Sequence, residues 1–200
     1  MRRSDGFGRQ TPVIAQRIAW RPRSALLDRR LSPLLQSWLD TPDSLTARVK
    51  ASCRAGFSLS VLSEQWRRPF LDEARRLAIP HDQAVWLRLI TLNCGDRPWV
   101  FARTVMPRGS LRGRRSRLRT LGKRPLGTVL FTGSEVQRGA MEVRRLAAAD
   151  PLIRDWPLED QGLTLWARRS TLAILGEPIL VTEVFLSELD HGAAYRQNLG

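Results

Sequence analysis

Histidine and cysteine are almost absent from this 200-residue chain, which has only His81 and His191, and only Cys53 and Cys94. Neither histidine has a metal-ligand neighbour at helical or loop spacing, so a metal centre and a histidine-based triad have little support. The cysteines lie far apart and form no ligand or redox spacing, which makes a reduced protein the expectation. No glycine-rich phosphate loop and no nucleophile elbow occurs, which argues against a nucleotide enzyme. Long apolar runs are also lacking. Nothing approaches the roughly 18 apolar residues of a membrane span, and the most apolar region, from Leu172 to Leu186, is broken by Gly176, Glu177, Pro178 and Glu183. The opening Met1-Arg2-Arg3-Ser4-Asp5-Gly6 has no apolar core of a secretory signal, so a cytoplasmic location is expected. There is no internal repeat and no low-complexity tract.

What the chain has in excess is arginine. The net charge is +14, and of 33 basic residues only Lys50 and Lys123 are lysine. So lopsided a ratio points partly to coding bias rather than to selection for phosphate contact. The densest cluster, Arg112 to Arg119, has no interleaved aromatics on which bases could stack. A solvated surface is the expectation for that cluster, and nucleic acid is not an expected partner. The positive field would still raise the local concentration of a dianionic substrate.

Residues 1–18 are polar and weakly patterned and read as a mobile basic N-terminal arm. Residues 19–189 form one domain, followed by a C-terminal tail over 190–200. Ser32 followed by Pro33 predicts an N-cap, with Leu34, Leu35, Trp38 and Leu39 at helical spacing behind it. Asp43-Ser44 predicts the cap of a second helix from Leu45 to Lys50. Phe57, Leu59 and Val61 alternate with serines, as in a half-buried strand. Residues 63–80 read as a helical excursion ending at Pro80. Val85 to Leu92 and Pro98 to Met106 are two β-rich runs around Gly95-Asp96, a hairpin signal. Residues 107–124 read as a basic surface helix, and Pro125 to Phe131 as a short buried helix or turn. Val136 to Arg145 reads as one strand, and 147–162 as an irregular insertion. Leu163 to Leu175 and Ile179 to Leu186 read as a second hairpin around Gly176-Glu177. Strands joined mostly by hairpins with helices between them predict an α+β domain, an antiparallel sheet flanked by short helices.

Arginine, glutamate and shape remain as the source of chemistry. In the first hairpin Trp86, Arg88 and Ile90 share a strand face, as do Trp99, Phe101, Arg103 and Val105 on its partner. A two-residue turn at Gly95-Asp96 would set Arg88 directly opposite Arg103 among apolar neighbours, an unfavourable arrangement unless an anion sits between them. The alternative is that these arginines reach solvent or pair with acidic residues elsewhere. Glu183 lies in a run that is apolar on both faces, so it is expected to be buried with a partner. An arginine such as Arg168 or Arg169 would serve in a structural pair. Leu126 and Leu45 read as core residues.

Five ordered blocks carry a resemblance. They are Trp86-Leu87-Arg88; Pro98-Trp99 with Ala102-Arg103-Thr104-Val105-Met106-Pro107; Leu121-Gly122-Lys123-Arg124-Pro125-Leu126-Gly127 with Leu130-Phe131-Thr132; Trp166-Ala167-Arg168-Arg169-Ser170; and Pro178-Ile179-Leu180-Val181-Thr182-Glu183-Val184-Phe185-Leu186. In order and spacing they resemble the chorismate pyruvate-lyase family of ubiquinone biosynthesis. The resemblance runs from about Leu31 to Leu186 and is strongest after Val85. It implies a buried site closed by flaps and conversion of chorismate to 4-hydroxybenzoate and pyruvate, the first committed step towards ubiquinone, by a cofactor-free elimination with aromatisation. It implies that Arg88 holds the aromatic carboxylate, that Glu183 contacts the ring hydroxyl, that Leu126 lines the ring pocket and that Leu45 covers it. Leu45 departs modestly from the methionine often found at that flap position. Arg103 matches a second site arginine, expected to face the enolpyruvyl carboxylate. No metal and no cofactor are expected, the protein is expected to be a monomer, and a slowly released, inhibitory product follows from the closed pocket.

The competing reading is a non-catalytic domain of the same fold that senses small aromatic acids. Regulators of that type carry a separate helix-turn-helix domain, for which no segment here has the length or pattern.

Overall fold

Serine hydroxyls, proline and paired turn residues set several of the element boundaries in the computed structural model, which describes residues 19–25, 31–42, 44–130, 136–147, 150–154 and 165–186. Helix α1 (Pro33–Leu39) starts where the Ser32 hydroxyl accepts the Leu35 N–H at 3.1 Å, with Pro33 in the first position. Helix α2 (Leu45–Ser52) starts in the same way, the Ser44 hydroxyl accepting the Ala47 N–H at 3.3 Å. Asp43, the other expected cap residue, lies outside the described residues, as do the N-terminal arm, the C-terminal tail and most of the 147–162 insertion. Helix α3 (Leu71–Arg76) carries Asp72 and Glu73 in its first turn and Arg75 and Arg76 in its last, both favourable to the helix dipole.

The strands are β1 (Arg21–Pro22), β2 (Phe57–Arg67), β3 (Val85–Cys94), β4 (Arg97–Pro107), β5 (Val136–Arg138), β6 (Glu142–Leu146), β7 (Leu165–Ile174) and β8 (Glu177–Phe185). They form one antiparallel sheet in the order β1-β6-β7-β8-β4-β3-β2, with β5 also paired to β7. Short helices α4 (Leu126–Leu130) and α5 (Pro151–Arg154) complete the set. The expected α+β fold with an antiparallel sheet and short flanking helices is therefore the fold observed.

Several details differ. The strand starting at Phe57 runs on to Arg67, so the helix expected in 63–80 shrinks to α3. The surface helix expected over 107–124 is two 3₁₀ segments, Gly109–Leu111 and Gly113–Thr120. Arg112, in extended backbone, separates them and Gly113 at φ +56° opens the second, and the three-residue spacing of the buried pair Leu118 and Leu121 suits the tighter winding. The single strand expected from Val136 to Arg145 is broken. β5 pairs with Leu172 to Ile174 and β6 with Leu165 to Arg169, and the chain steps between them where the Gly139 N–H meets the Thr171 carbonyl at 2.9 Å. The second hairpin turns at Leu175-Gly176, one residue earlier than expected, because Ile174 pairs with Glu177 and both turn residues take positive φ.

The two cysteines require a correction of substance. Antiparallel pairing sets Phe57 opposite Cys94, and the end of α2 brings Cys53 to the same place, so the two form a disulfide across a sequence separation of 41. Linear spacing had concealed this. Apolar residues fill both faces of the sheet. Trp38, Leu39, Leu45 and Val49 pack with Ile90, Leu92, Val100, Ala102 and Phe185 on one face. The same face carries a second cluster around Met106, Leu118, Leu121, Leu172 and Ile179. The other face packs Leu87, Leu89, Phe101, Val105, Leu180 and Val184 against Leu77 and Leu152.

Candidate active site

The two clusters that share a sheet face leave a small cavity where they meet, about 60 Å³ in volume. Ser44, Leu45 and Thr46 at the start of α2 roof it from one side, and Leu126 and Gly127 at the start of α4 from the other. Its floor is the sheet: Ile90 and Leu92 of β3, Ala102 and Thr104 of β4, Val181 and Glu183 of β8, and Leu172 of β7. Period-two alternation explains the floor, since Ile90 pairs with Ala102 and Ala102 with Glu183 across neighbouring strands.

Leu45, Leu126 and Glu183, three residues singled out from the sequence, thus line one cavity. Glu183 is half-buried and accepts a hydrogen bond from Arg168 Nε at 2.6 Å, so the pairing with Arg168 weighed from sequence is present. Arg168 is fully buried, and its Nη1 donates to the carbonyls of Trp38, Leu39 and Thr41 at 3.2, 3.4 and 2.7 Å. One arginine therefore fixes both the carboxylate on the floor and the chain that leads into α2. Arg48, over the Trp38 ring, buttresses the same turn, and burial first and the Arg168 charge second hold its guanidinium below its ordinary range.

Arg88 stands beside the cavity, opposite Thr104 and two residues from Ile90 on the same strand face. It is 1% exposed. It donates to the Glu64 carboxylate across the strand pair, and to the carbonyls of Gly122 and Arg124 at 2.9 and 3.1 Å, which holds the loop leading into α4. Burial pulls the Arg88 guanidinium below its ordinary range, and the hydrogen bond and charge of Glu64 partly restore it. Nothing in the sequence singled out Glu64. Its signal was an acidic residue in an otherwise alternating strand, visible only once β2 is known to run past it.

The expected facing of Arg88 and Arg103 is corrected. Next to the turn the register is as expected, with Cys94 opposite Arg97 and Asn93 opposite Pro98. Then Leu92 pairs with Val100, leaving Trp99 without a partner on β3. This β-bulge advances β4 by one residue and sends every later side chain through to the other face. Arg103 accordingly pairs with Leu89, and on the far side of the sheet its Nε and Nη2 grip Glu73 at 2.6 and 3.0 Å, with Phe70 stacked on the guanidinium. That far side holds a larger cavity of about 370 Å³ bordered by Trp20, Glu73, Glu142, Arg144, Asp150 and Arg169. Of the three described arginines that line it, Arg144 pairs with Asp150 and Arg169 with Asp72 and Glu142, and the third is Arg75 of α3. None of Leu45, Arg88, Leu126 or Glu183 borders it. Among the described residues no cluster of three or more His, Cys, Asp or Glu has the geometry of a metal site.

The solved structures that this sheet is similar to share its fold at low identity. The PhnF C-terminal domain is 12% identical with a TM-score of 0.54, covering 70% of this chain and 87% of that one. The ligand-binding domain of a GntR-family regulator from Bordetella bronchiseptica is 20% identical with a TM-score of 0.51, covering 66% and 86%. Sequence similarity is much higher elsewhere. The probable chorismate pyruvate-lyase of Halorhodospira halophila is 43% identical over 178 residues, covering 86% of this chain and 92% of that protein. The chorismate pyruvate-lyase of Erwinia tasmaniensis is 35% identical over 169 residues, covering 84% and 86%. The family model described as chorismate lyase matches residues 14–192, and with that the chain belongs to the chorismate lyase family.

Proposed function

We propose that this protein is a chorismate pyruvate-lyase, converting chorismate to 4-hydroxybenzoate and pyruvate. The observation that carries the reading is the convergence of Leu45, Leu126 and Glu183 on one sheet-backed cavity, with Arg88 beside it, in a chain of this family. In the reaction the ether bond between ring and enolpyruvyl group breaks. The hydrogen on the hydroxyl-bearing ring carbon passes to the enolpyruvyl methylene, giving pyruvate as the ring becomes aromatic. Arg88 would hold the ring carboxylate, since a charge-assisted guanidinium–carboxylate bond is about twice as strong as a neutral one. Glu183, fixed by Arg168, would take the ring hydroxyl and set the rotation of the ring. Leu126 would pack on the ring and Leu45 cover it. The protein contributes orientation and placed charge in a water-poor pocket. Arg103, on the opposite face of the sheet, has no part in this assignment.

A cavity of about 60 Å³ is far below the roughly 300–1,000 Å³ of an ordinary ligand site. The segments carrying Leu45 and Leu126 would therefore swing outward as two flaps to admit substrate, and product would leave slowly. The enzyme would act as a monomer, at the entry to ubiquinone synthesis. It would work in the cytoplasm, because a doubly charged substrate does not cross a bilayer unaided and must be met where it is made. The Cys53–Cys94 bridge would face a reducing thiol pool there. Incubation of the purified protein with chorismate and excess chelator tests the reading. Equal amounts of 4-hydroxybenzoate and pyruvate are expected. Tight 4-hydroxybenzoate binding without turnover would instead leave a sensing domain of the same fold.

A further inference from the structure

We infer that Arg138 binds the second carboxylate of the substrate, the one on the enolpyruvyl group, a role that rests on the lyase reading above. Chorismate carries two carboxylates and the aromatic product only one, so a site on this face needs a second cation. The bulge at Trp99 has removed Arg103 to the far side. Among the described residues that line the cavity, Arg138 is the only cationic one and Glu183 the only anionic one. Of the other arginines near the cavity, Arg88 is assigned the ring carboxylate, Arg168 holds Glu183 and the turn before α2, and Arg124 turns back onto the carbonyls of Thr120 and Leu121.

The backbone of Arg138 is firmly placed. It ends β5, opposite Leu172, which also lines the cavity. At the next residue a Cβ would come within 2.4 Å of Thr171 Oγ1, so only glycine lets β5 press this closely onto β7. The side chain is exposed, and its Nη1 donates to the Ser170 hydroxyl at 2.9 Å. A carboxylate competes well with a hydroxyl for a guanidinium. Arg138 thus stands on the β5–β7 edge of the cavity, away from Arg88 on β3. The carboxylate it holds leaves with pyruvate, so Arg138 recognises substrate and not the aromatic product.

The test compares two ligands on one variant. In Arg138→Gln the kcat/KM for chorismate is expected to fall at least about tenfold. The dissociation constant for 4-hydroxybenzoate should stay within about twofold and the melting temperature should not move. Arg138→Lys should restore part of the loss. Arg88→Lys should weaken both ligands, which shows that the two measurements report different carboxylates. An Arg138→Gln variant with unchanged chorismate kinetics, or one that loses both ligands equally, overturns this role while leaving the lyase intact. A wild-type chain that neither binds nor turns over chorismate overturns the lyase reading and this role together.

Discussion

At the scale of single residues, the five buried arginines among the described residues of the sheet divide by which face they occupy. Arg88 and Arg168 lie on the face of the small cavity, and Arg103, Arg144 and Arg169 on the other. Arg88→Ala is expected to lower kcat/KM for chorismate by at least about a hundredfold. Because Arg88 also ties down Gly122 and Arg124, it should cost about 1–3 kcal/mol of stability as well. Near-wild-type turnover in a folded Arg88→Ala protein would remove Arg88 from the site. Glu73 and Arg103 behave oppositely. Both are about 2% exposed and paired, so Glu73→Gln removes the charge that balances a buried guanidinium and should cost about 3–5 kcal/mol. The kcat/KM of the protein that remains folded should change by less than about twofold. A loss of activity larger than the loss of folded protein would give the Arg103–Glu73 pair a part in catalysis.

Among the elements, α2 links the cavity to the disulfide. Its first residue, Leu45, roofs the cavity, and Cys53 just past its end is joined to the end of β3. The bridge closes a loop containing β2, α3 and β3, and leaves α2 just outside it. Loop-closure entropy assigns a bridge of this span a stabilisation of about 2–4 kcal/mol. Cys53→Ser is therefore expected to lower the denaturant midpoint by a corresponding amount. It should also speed 4-hydroxybenzoate release, since the helix bearing Leu45 is then held at one end only. Stopped-flow dissociation measured with and without reductant reads this directly. A wild-type release rate unchanged by reduction would mean that Arg168, gripping the turn before α2, secures the flap without help from the bridge.

For the whole molecule, the net charge of +14 meets a dianionic substrate. Long-range attraction of this kind raises encounter rates and is screened by salt, with the Debye length falling from about 30 Å at 0.01 M to about 3 Å at 1 M. The kcat/KM for chorismate should therefore fall over that range while kcat at saturation holds steady. A flat kcat/KM would make the arginine excess irrelevant to capture and leave coding bias as its explanation.

The sequence by itself determined the α+β class, the two hairpins, the serine-capped helices and the family. These follow from local signals: alternation, turn residues, caps, and ordered blocks of residues. It also marked Arg88, Glu183, Leu126 and Leu45 as a group, though through the resemblance, since Leu45 and Leu126 alone look like ordinary core. Tertiary structure decided the rest. A single extra residue at Trp99 determines which face Arg103 occupies, and no local pattern announces a bulge. The Cys53–Cys94 bridge and the Arg88–Glu64 pair exist because β2 folds back on β3, which linear spacing does not record. Arg138 reaches the cavity because β5 docks on the edge of β7 ahead of β6, a long-range strand pairing that the neighbouring Gly139 permits but does not announce in the sequence.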